Sequence, residues 1–214
     1  MVPGGWGSRL LGTSGRKGTK VVALLGLWLA AVCASFIALA RYSNGAGPSA
    51  ERAPAHWPSE SALSRSGDRA TLLLFAHPGC PCTKATLTEL AALLREVGDA
   101  VQAVVVLRKV RSPEVSSALR DQAAAIPGVR IELDEQGAEA ERFDAKTSGQ
   151  AILYDRTGAL LFEGGLTVAR GHEGMSPGRQ AIAALLRGLD SAHSTKVFGC
   201  GLQDVSDGGA SPSP

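Results

Sequence analysis

Apolar and polar positions follow a regular pattern only between about residues 70 and 190, with one long apolar run well upstream. That run, VVALLGLWLAAVCASFIALA (21–40), contains no charge, proline, asparagine or glutamine. At about 1.5 Å of rise per residue, a helix of this length crosses the hydrocarbon core of a bilayer. Downstream, ATLLLFA (70–76) and the Val-rich AVQAVVVLRKV (100–110) are apolar runs of strand length. Between them TKATLTELAALLREVG sets Ala85, Leu87, Leu90, Leu93, Leu94 and Val97 at helical spacing. Residues 113–125 read as a helix with Pro113 at its start and Ser112 as a cap. GVRIELD (128–134) follows as a strand, and EQGAEAERFDA as a turn or two of helix. QAILYDRTGALLFEGGL predicts a hairpin turning at Asp155-Arg156-Thr157-Gly158. Residues 177–189 close the pattern as a helix with Ile182, Leu185, Leu186 and Leu189 on one face.

The order β-α-β-α-β-(α)-β-β-α combines strand–helix–strand units, which build parallel pairs, with an antiparallel hairpin. The expectation is an α/β sandwich with a mixed sheet and one core. Around it the chain divides into a basic cytoplasmic N-terminus (1–20), a transmembrane helix or uncleaved signal anchor (21–40), a flexible linker (41–68), the folded domain (69–200) and a disordered tail (201–214). A cleaved signal peptide is the competing reading of the apolar run, with Ala38-Leu39-Ala40 as the small-residue site. The run exceeds the usual 7–15 residues of such a segment. Arg9, Arg16, Lys17 and Lys20 precede it with no acidic residue among them, which keeps the N-terminus inside and sends the remainder outward.

Composition narrows the function classes. The 214 residues are 44% hydrophobic and 20% charged, as for one globular domain with additions. A net charge of +2 without a Lys/Arg stripe gives no nucleic-acid footprint. Four cysteines are too few for a disulfide scaffold, and their grouping carries the information: Cys33 in the apolar run, Cys80 with Cys82, and Cys200. In FAHPGCPCTKATL (75–87) the pair follows the first strand directly. Pro81 suits a first helical position, which makes Cys80 an N-cap and Cys82 a first-turn residue. The positive end of the helix then favours a thiolate, which is both a nucleophile and a soft-metal ligand. A Cys80–Cys82 disulfide closes a small ring, so it is expected to be labile and exchanging. The chain contains no Rossmann glycine motif, P-loop, His-Glu-x-x-His or nucleophile elbow.

Over about residues 68–190, the element order and the stretch LLFAHPGCPCTKA resemble the thioredoxin-like superfamily, and the whole chain resembles its membrane-anchored bacterial members. In that family the first strand ends in a turn bearing Cys-x-x-Cys, often with proline before the second cysteine. Pro81-Cys82 matches, whereas Gly79 stands at the first-cysteine position and Cys80 is displaced by one. The family also places a cis-proline opposite the cysteines, where KTSGQAILYD has Gly149-Gln150. That departure weakens a plain reductase and favours metal binding. The His-Pro-x-Cys-Pro-Cys turn further resembles the RedB-type bacterial proteins.

The resemblance implies a thioredoxin-like three-layer sandwich with a mixed sheet, preceded by one N-terminal transmembrane helix. It implies that GGLTVARGHEGMSPGR (164–179) returns to the cysteine side, bringing Thr167, Arg170 and His172 near the thiols and His77. Cys200, in the glycine-flanked KVFGCGL, is a candidate to resolve a mixed disulfide, share a metal or link another chain. His56 and His193 are expected to be solvated. The leading expectation is an exported, membrane-tethered thiol–disulfide oxidoreductase of the inner membrane, its domain on the periplasmic or extracellular side. It would act on protein thiols or disulfides, without a cofactor, through Cys80, Cys82, Cys200, His77 and His172, and cytochrome or oxidase maturation is the implied setting. One alternative is a copper-binding, chaperone-like module using the same five residues as ligands. A non-catalytic protein-binding domain is the other.

Overall fold

The computed structural model describes residues 14–48, 52–109 and 113–202. The chain divides into two compact units, one up to Tyr42 and one from Ser43. The first is carried by helix α1 (Ser14–Asn44), longer at both ends than the apolar run that predicts it. Within it, the 27-residue stretch Gly18–Asn44 holds an 18-residue window of mean hydropathy 2.5, long and apolar enough to cross a membrane. Its large apolar side chains stand exposed, Leu27 at 70% and Trp28 at 65%. Residues 1–13, which hold Arg9 of the basic N-terminus, lie outside the described residues.

The second unit runs β1 (Ala70–Ala76), α2 (Thr83–Val97), a 3-10 turn (Gly98–Ala100), β2 (Val101–Arg108), α3 (Pro113–Ala124), β3 (Val129–Asp134), α4 (Ala138–Arg142), β4 (Gln150–Tyr154), β5 (Leu160–Gly165) and α5 (Pro177–Leu186). The sheet order is β3-β2-β1-β4-β5. β1, β2 and β3 are parallel, and β4 lies antiparallel to both β1 and β5. β1 is therefore central, with its connections diverging to either side of its carboxyl end, the position where α/β sheets build their sites.

β1 and β2 are buried almost throughout, which is why they read as continuous apolar runs. Their alternation splits the core in two. Leu72, Leu74, Val105, Leu107, Ala151 and Leu153 face α2, α3 and α5, packing on Leu87, Leu90, Leu93, Leu119 and Ile182. Leu73, Phe75, Val104, Val106, Ile152 and Tyr154 face the other way, where the short α4 supplies Ala140, followed by Phe143. The sandwich has its three layers, but helices dominate only one face.

The second face is completed by segments expected to be unstructured. The flexible linker of 41–68 is corrected over 52–68, which is a packed strap. Ala53 is 2% exposed and Leu63 8%. Ala53 N donates to Glu163 Oε2 (2.5 Å), and Tyr154 Oη donates to Pro54 O (2.9 Å). Trp57 N donates to Gly158 O (2.8 Å) and Leu160 N to Ala55 O (2.9 Å). The Trp57 ring sits edge-on to Phe143 and Tyr154, at centroid distances of 5.0 and 5.3 Å. A strap that takes its hydrogen bonds from the domain needs no internal period, so its sequence shows none.

At the other end the fold continues past residue 200, since Leu202 is 3% exposed in the same cluster. Residues 203–214 of the expected disordered tail lie outside the described residues. α5 stops at Leu186 because Gly188 turns left-handed (φ 74°), which leaves Leu189 58% exposed instead of on the buried face. Trp57→Ala is expected to lower stability by roughly 2 kcal/mol, read as the midpoint of urea unfolding. A free tether at this position would leave the midpoint unmoved.

Candidate active site

Leaving β1, the chain folds through two consecutive turns. Cys80 N donates to His77 O and Thr83 N to Cys80 O, both at 3.1 Å. Each turn carries proline at its second position, Pro78 and Pro81, where the fixed φ of the ring is suited. α2 therefore starts at Thr83, not at Pro81. Cys82, not Cys80, is its N-cap, with φ −71° and ψ −21° and no capping bond from its side chain. Both thiols still lie at the positive end of α2.

Opposite the turns runs the Thr147-Ser148-Gly149 segment that leads into β4. Gly149 N donates to Phe75 O (2.8 Å), and His77 N to Ser148 Oγ (2.9 Å). Thr83 Oγ1 lies 3.0 Å from Ser148 Oγ and donates to His77 O at 3.1 Å. Ser148 N in turn donates to Cys200 O at 2.8 Å. A proline at 148 has no N–H to give, so this backbone contact needs another residue there.

That contact belongs to a return path after α5. Thr195 N donates to Glu163 O (3.1 Å) and Gly47 N to Val197 O (2.9 Å). Thr147 and Gly201 then form an antiparallel bridge, and Leu202 N donates to Lys146 O (2.8 Å). A Cβ at Gly199 would overlap the Ser148 carbonyl oxygen, so glycine permits the close approach. Arg170 Nη1 donates to Gly199 O at 2.6 Å from the far side. Cys200 is thereby carried across the domain to Cys80.

The three site cysteines are not joined in a disulfide, and of them Cys80 takes a negative charge most readily. Cys80 is pushed down to about 5, chiefly because the Cys200 thiol donates to its sulfur, against the opposing effect of burial. The backbone N–H groups of Cys200 and Cys82 and the Thr83 hydroxyl add to the effect. Cys200 is pushed well up, because its proton is held in the bond to Cys80 and because burial disfavours a second charge. Burial raises Cys82, with the Cys80 charge adding to it, while Arg170 and the Gly171 N–H partly offset the rise.

His77 is 2% exposed. Its Nδ1 accepts from Gly79 N (3.0 Å), which puts the proton of a neutral ring on Nε2, where it meets no hydrogen-bond partner. Burial holds its pKa down, opposed by the Cys80 charge and reinforced by Arg108. His77 thus enters the site as a neutral imidazole that shapes the turn.

The loop of 164–179 returns to the cysteines through Arg170 and Gly171. His172 is exposed, its backbone N bonded to Ala169 O at 3.2 Å, and Thr167 is buried. His56 and His193 are exposed; His193 Nδ1 lies 2.8 Å from Leu161 O. Two groups escaped the sequence reading. Ser148 joins all three segments, and the signal for it was the KTSGQ stretch, read only for its missing proline. Glu89, 2% exposed on α2, accepts from Gly174 N (2.5 Å) and pairs with Arg179 (2.8 Å), tying down the loop that bears Arg170. A carboxylate on an apolar helix face was its signal.

The depressed Cys80 pKa sets a pH dependence. Against an ordinary thiol value of 9.0, the stabilisation is complete above 9 and lost as pH falls through about 5. His77 acts with the same sign below its ordinary 6.5, since the unfolded ring takes up a proton that the folded one resists. The reduced chain is expected to lose stability as pH falls below the ordinary thiol range toward 5 in urea titrations, and also as pH rises above 9, where the unfolded Cys82 and Cys200 ionise and the folded ones resist. Cys200→Ala should move the Cys80 thiolate absorbance transition upward; an unmoved transition would show that the Cys200 thiol does not stabilise the thiolate.

No family model and no curated protein matches the chain. Among solved structures, a hypothetical protein of Sinorhizobium meliloti 1021 aligns with TM-score 0.54 and 21% identity, over 66% of this chain and 82% of its own. An uncharacterized conserved protein of Geobacillus kaustophilus aligns with TM-score 0.54 and 21% identity, over 77% and 95% respectively. A secreted Mycobacterium tuberculosis disulfide oxidoreductase homologous to E. coli DsbE gives 0.42 and 14%, over 58% and 84%. With two parallel crossovers, an antiparallel β4–β5 hairpin and a cysteine turn between the central strand and its helix, the domain has a thioredoxin-like fold.

Proposed function

We propose that this protein is a thiol–disulfide oxidoreductase tethered to a membrane by α1, with its domain on the exported side. The observation that carries the reading is the convergence of Cys80, Cys82 and Cys200 at the start of α2, where hydrogen bonds from neighbouring groups hold one sulfur as a thiolate. A stabilised thiolate beside protonated thiols is the arrangement that exchange requires. It attacks or leaves as a thiolate, and a neighbour closes the second bond. His77, neutral and buried, holds the turn through the Gly79 N–H that its Nδ1 accepts. The basic residues before the apolar run support the outward orientation. The narrower RedB-type resemblance and a setting in cytochrome or oxidase maturation rest on the turn residues alone.

The same sulfurs form a soft donor set of the kind that suits monovalent copper. Exchange is the reading favoured by the stabilised Cys80 thiolate beside the protonated Cys200 thiol. In detergent, the full chain is expected to exchange with a protein disulfide at a rate that Cys80→Ser abolishes. Undiminished exchange by that variant would overturn the role of Cys80. One equivalent of copper retained after chelator-free purification, with no disulfide formed on oxidation, would make the cysteines ligands instead.

A further inference from the structure

The oxidoreductase reading leaves open which thiol pairs with Cys80 and in which direction electrons move. We propose that the redox couple is Cys80 with Cys200, that a partner thiolate attacks at the Cys200 sulfur, and that Cys80 is the leaving sulfur. The proposal rests on that reading and deepens it: the substrate class becomes a protein dithiol, which this chain oxidises.

Two geometric arguments select Cys200 over Cys82. Cys80 and Cys82 are two residues apart in a turn closed by Thr83 N to Cys80 O, and Cys82 has helical backbone angles. The Cys82 thiol also meets Cys80, but a bond between residues two apart closes a small ring, so reaching disulfide geometry means opening the turn. Cys200 comes from a facing segment and carries no such ring constraint. It meets Cys80 through both its thiol and its backbone N–H, and its carbonyl is fixed by Ser148 N.

Exposure then sets the polarity. Cys80 is 4% exposed and Cys82 8%, whereas Cys200 is half-buried and the most accessible of the three. Cys200 is therefore the residue of the three that offers an incoming thiolate the readiest approach. Cys80, the more buried of the two, keeps the Cys82 N–H to receive the charge when the bond breaks.

The step balances as follows. From the oxidised chain, a partner thiolate attacks Cys200 Sγ, the Cys80–Cys200 bond breaks, and Cys80 leaves with the electron pair. The partner is now joined to Cys200. Its second thiol, after losing a proton, attacks its own first sulfur. Cys200 leaves and takes up a proton, which it then donates in its hydrogen bond to Cys80. The partner dithiol has lost two electrons and two protons, one proton now on Cys200 and one in solvent. A more oxidising protein disulfide re-forms the bond by the reverse exchange. Stabilising the reduced form in this way makes a dithiol pair an oxidant, since the thiolate is favoured over the disulfide.

The test uses the full chain in detergent, oxidised with glutathione disulfide, alkylated, digested without reductant and mapped by mass. The expected product links the Cys80 and Cys200 peptides and leaves Cys82 alkylated. Cys82→Ser should keep that link and Cys200→Ser lose it; the wild-type map decides the pairing even if a variant fails to fold. Brief exposure of the oxidised chain to reduced glutathione, quenched in acid, should place glutathione on Cys200. A Cys80–Cys82 link, or glutathione on Cys80, would overturn this assignment and leave the oxidoreductase reading intact. No intramolecular disulfide in any form of the chain would defeat that reading itself.

Discussion

Central strands that are apolar on both faces must be covered on both, and the way this chain meets that requirement decides where everything else lies. α2, α3 and α5 close one face with the leucines and isoleucines expected of amphipathic helices. The other face holds Phe75, Phe143, Ile152 and Tyr154, and α4, only five residues long, is too small to seal it. The strap of 52–66 and the end of the return segment at Leu202 complete the seal. Burying those side chains is worth about 1.5–3 kcal/mol each, enough to order stretches whose own sequences have no helical or strand preference. Cys200 lies two residues before Leu202. The burial that docks Leu202 also presents Cys200 to Cys80, so the third thiol is positioned by the packing of the core.

The electrostatics of the site follow from crowding. Three sulfurs in a poorly solvated corner cannot all ionise, because each further charge is repelled by the first and gains little solvation. Charge therefore collects on the sulfur with the most donors, Cys80, and the donors include the thiols that stay protonated. The shifts of Cys80 and Cys200 describe one shared proton seen from its two ends. His77 fits the same logic. An imidazolium would break the Gly79 bond and bring a buried charge beside Arg108, so the ring stays neutral.

Much of this was legible in the sequence, because strands and helices are read from local periodicity. The β1 bounds and the hairpin turn follow from it directly, as does the placing of the cysteine pair at a strand–helix junction. What periodicity cannot show is a segment whose order is borrowed. Residues 52–68 and 201–202 make their hydrogen bonds to other elements and so read as linker and tail. The start of α2 was misplaced for a related reason: Pro81 is equally at home in a first helical turn and at the second position of a β-turn.

The same distinction explains why the location of the chemistry was readable and its full membership was not. Cys80 and Cys82 belong to a local motif, so their setting could be inferred from the residues beside them. Cys200 and Ser148 reach the site only through long-range contacts, the Ser148 N to Cys200 O bond and the Gly199 approach. A glycine on either side of Cys200 in KVFGCGL is the one local sign of such an approach, since a close backbone crossing is where a side chain cannot be tolerated. If the redox pair does span 80 and 200, oxidation ties the return segment covalently to the turn after β1. The reduced state holds it only by hydrogen bonds and the burial of Leu202. The redox state of the site and the firmness with which the second face is covered would then be a single physical variable.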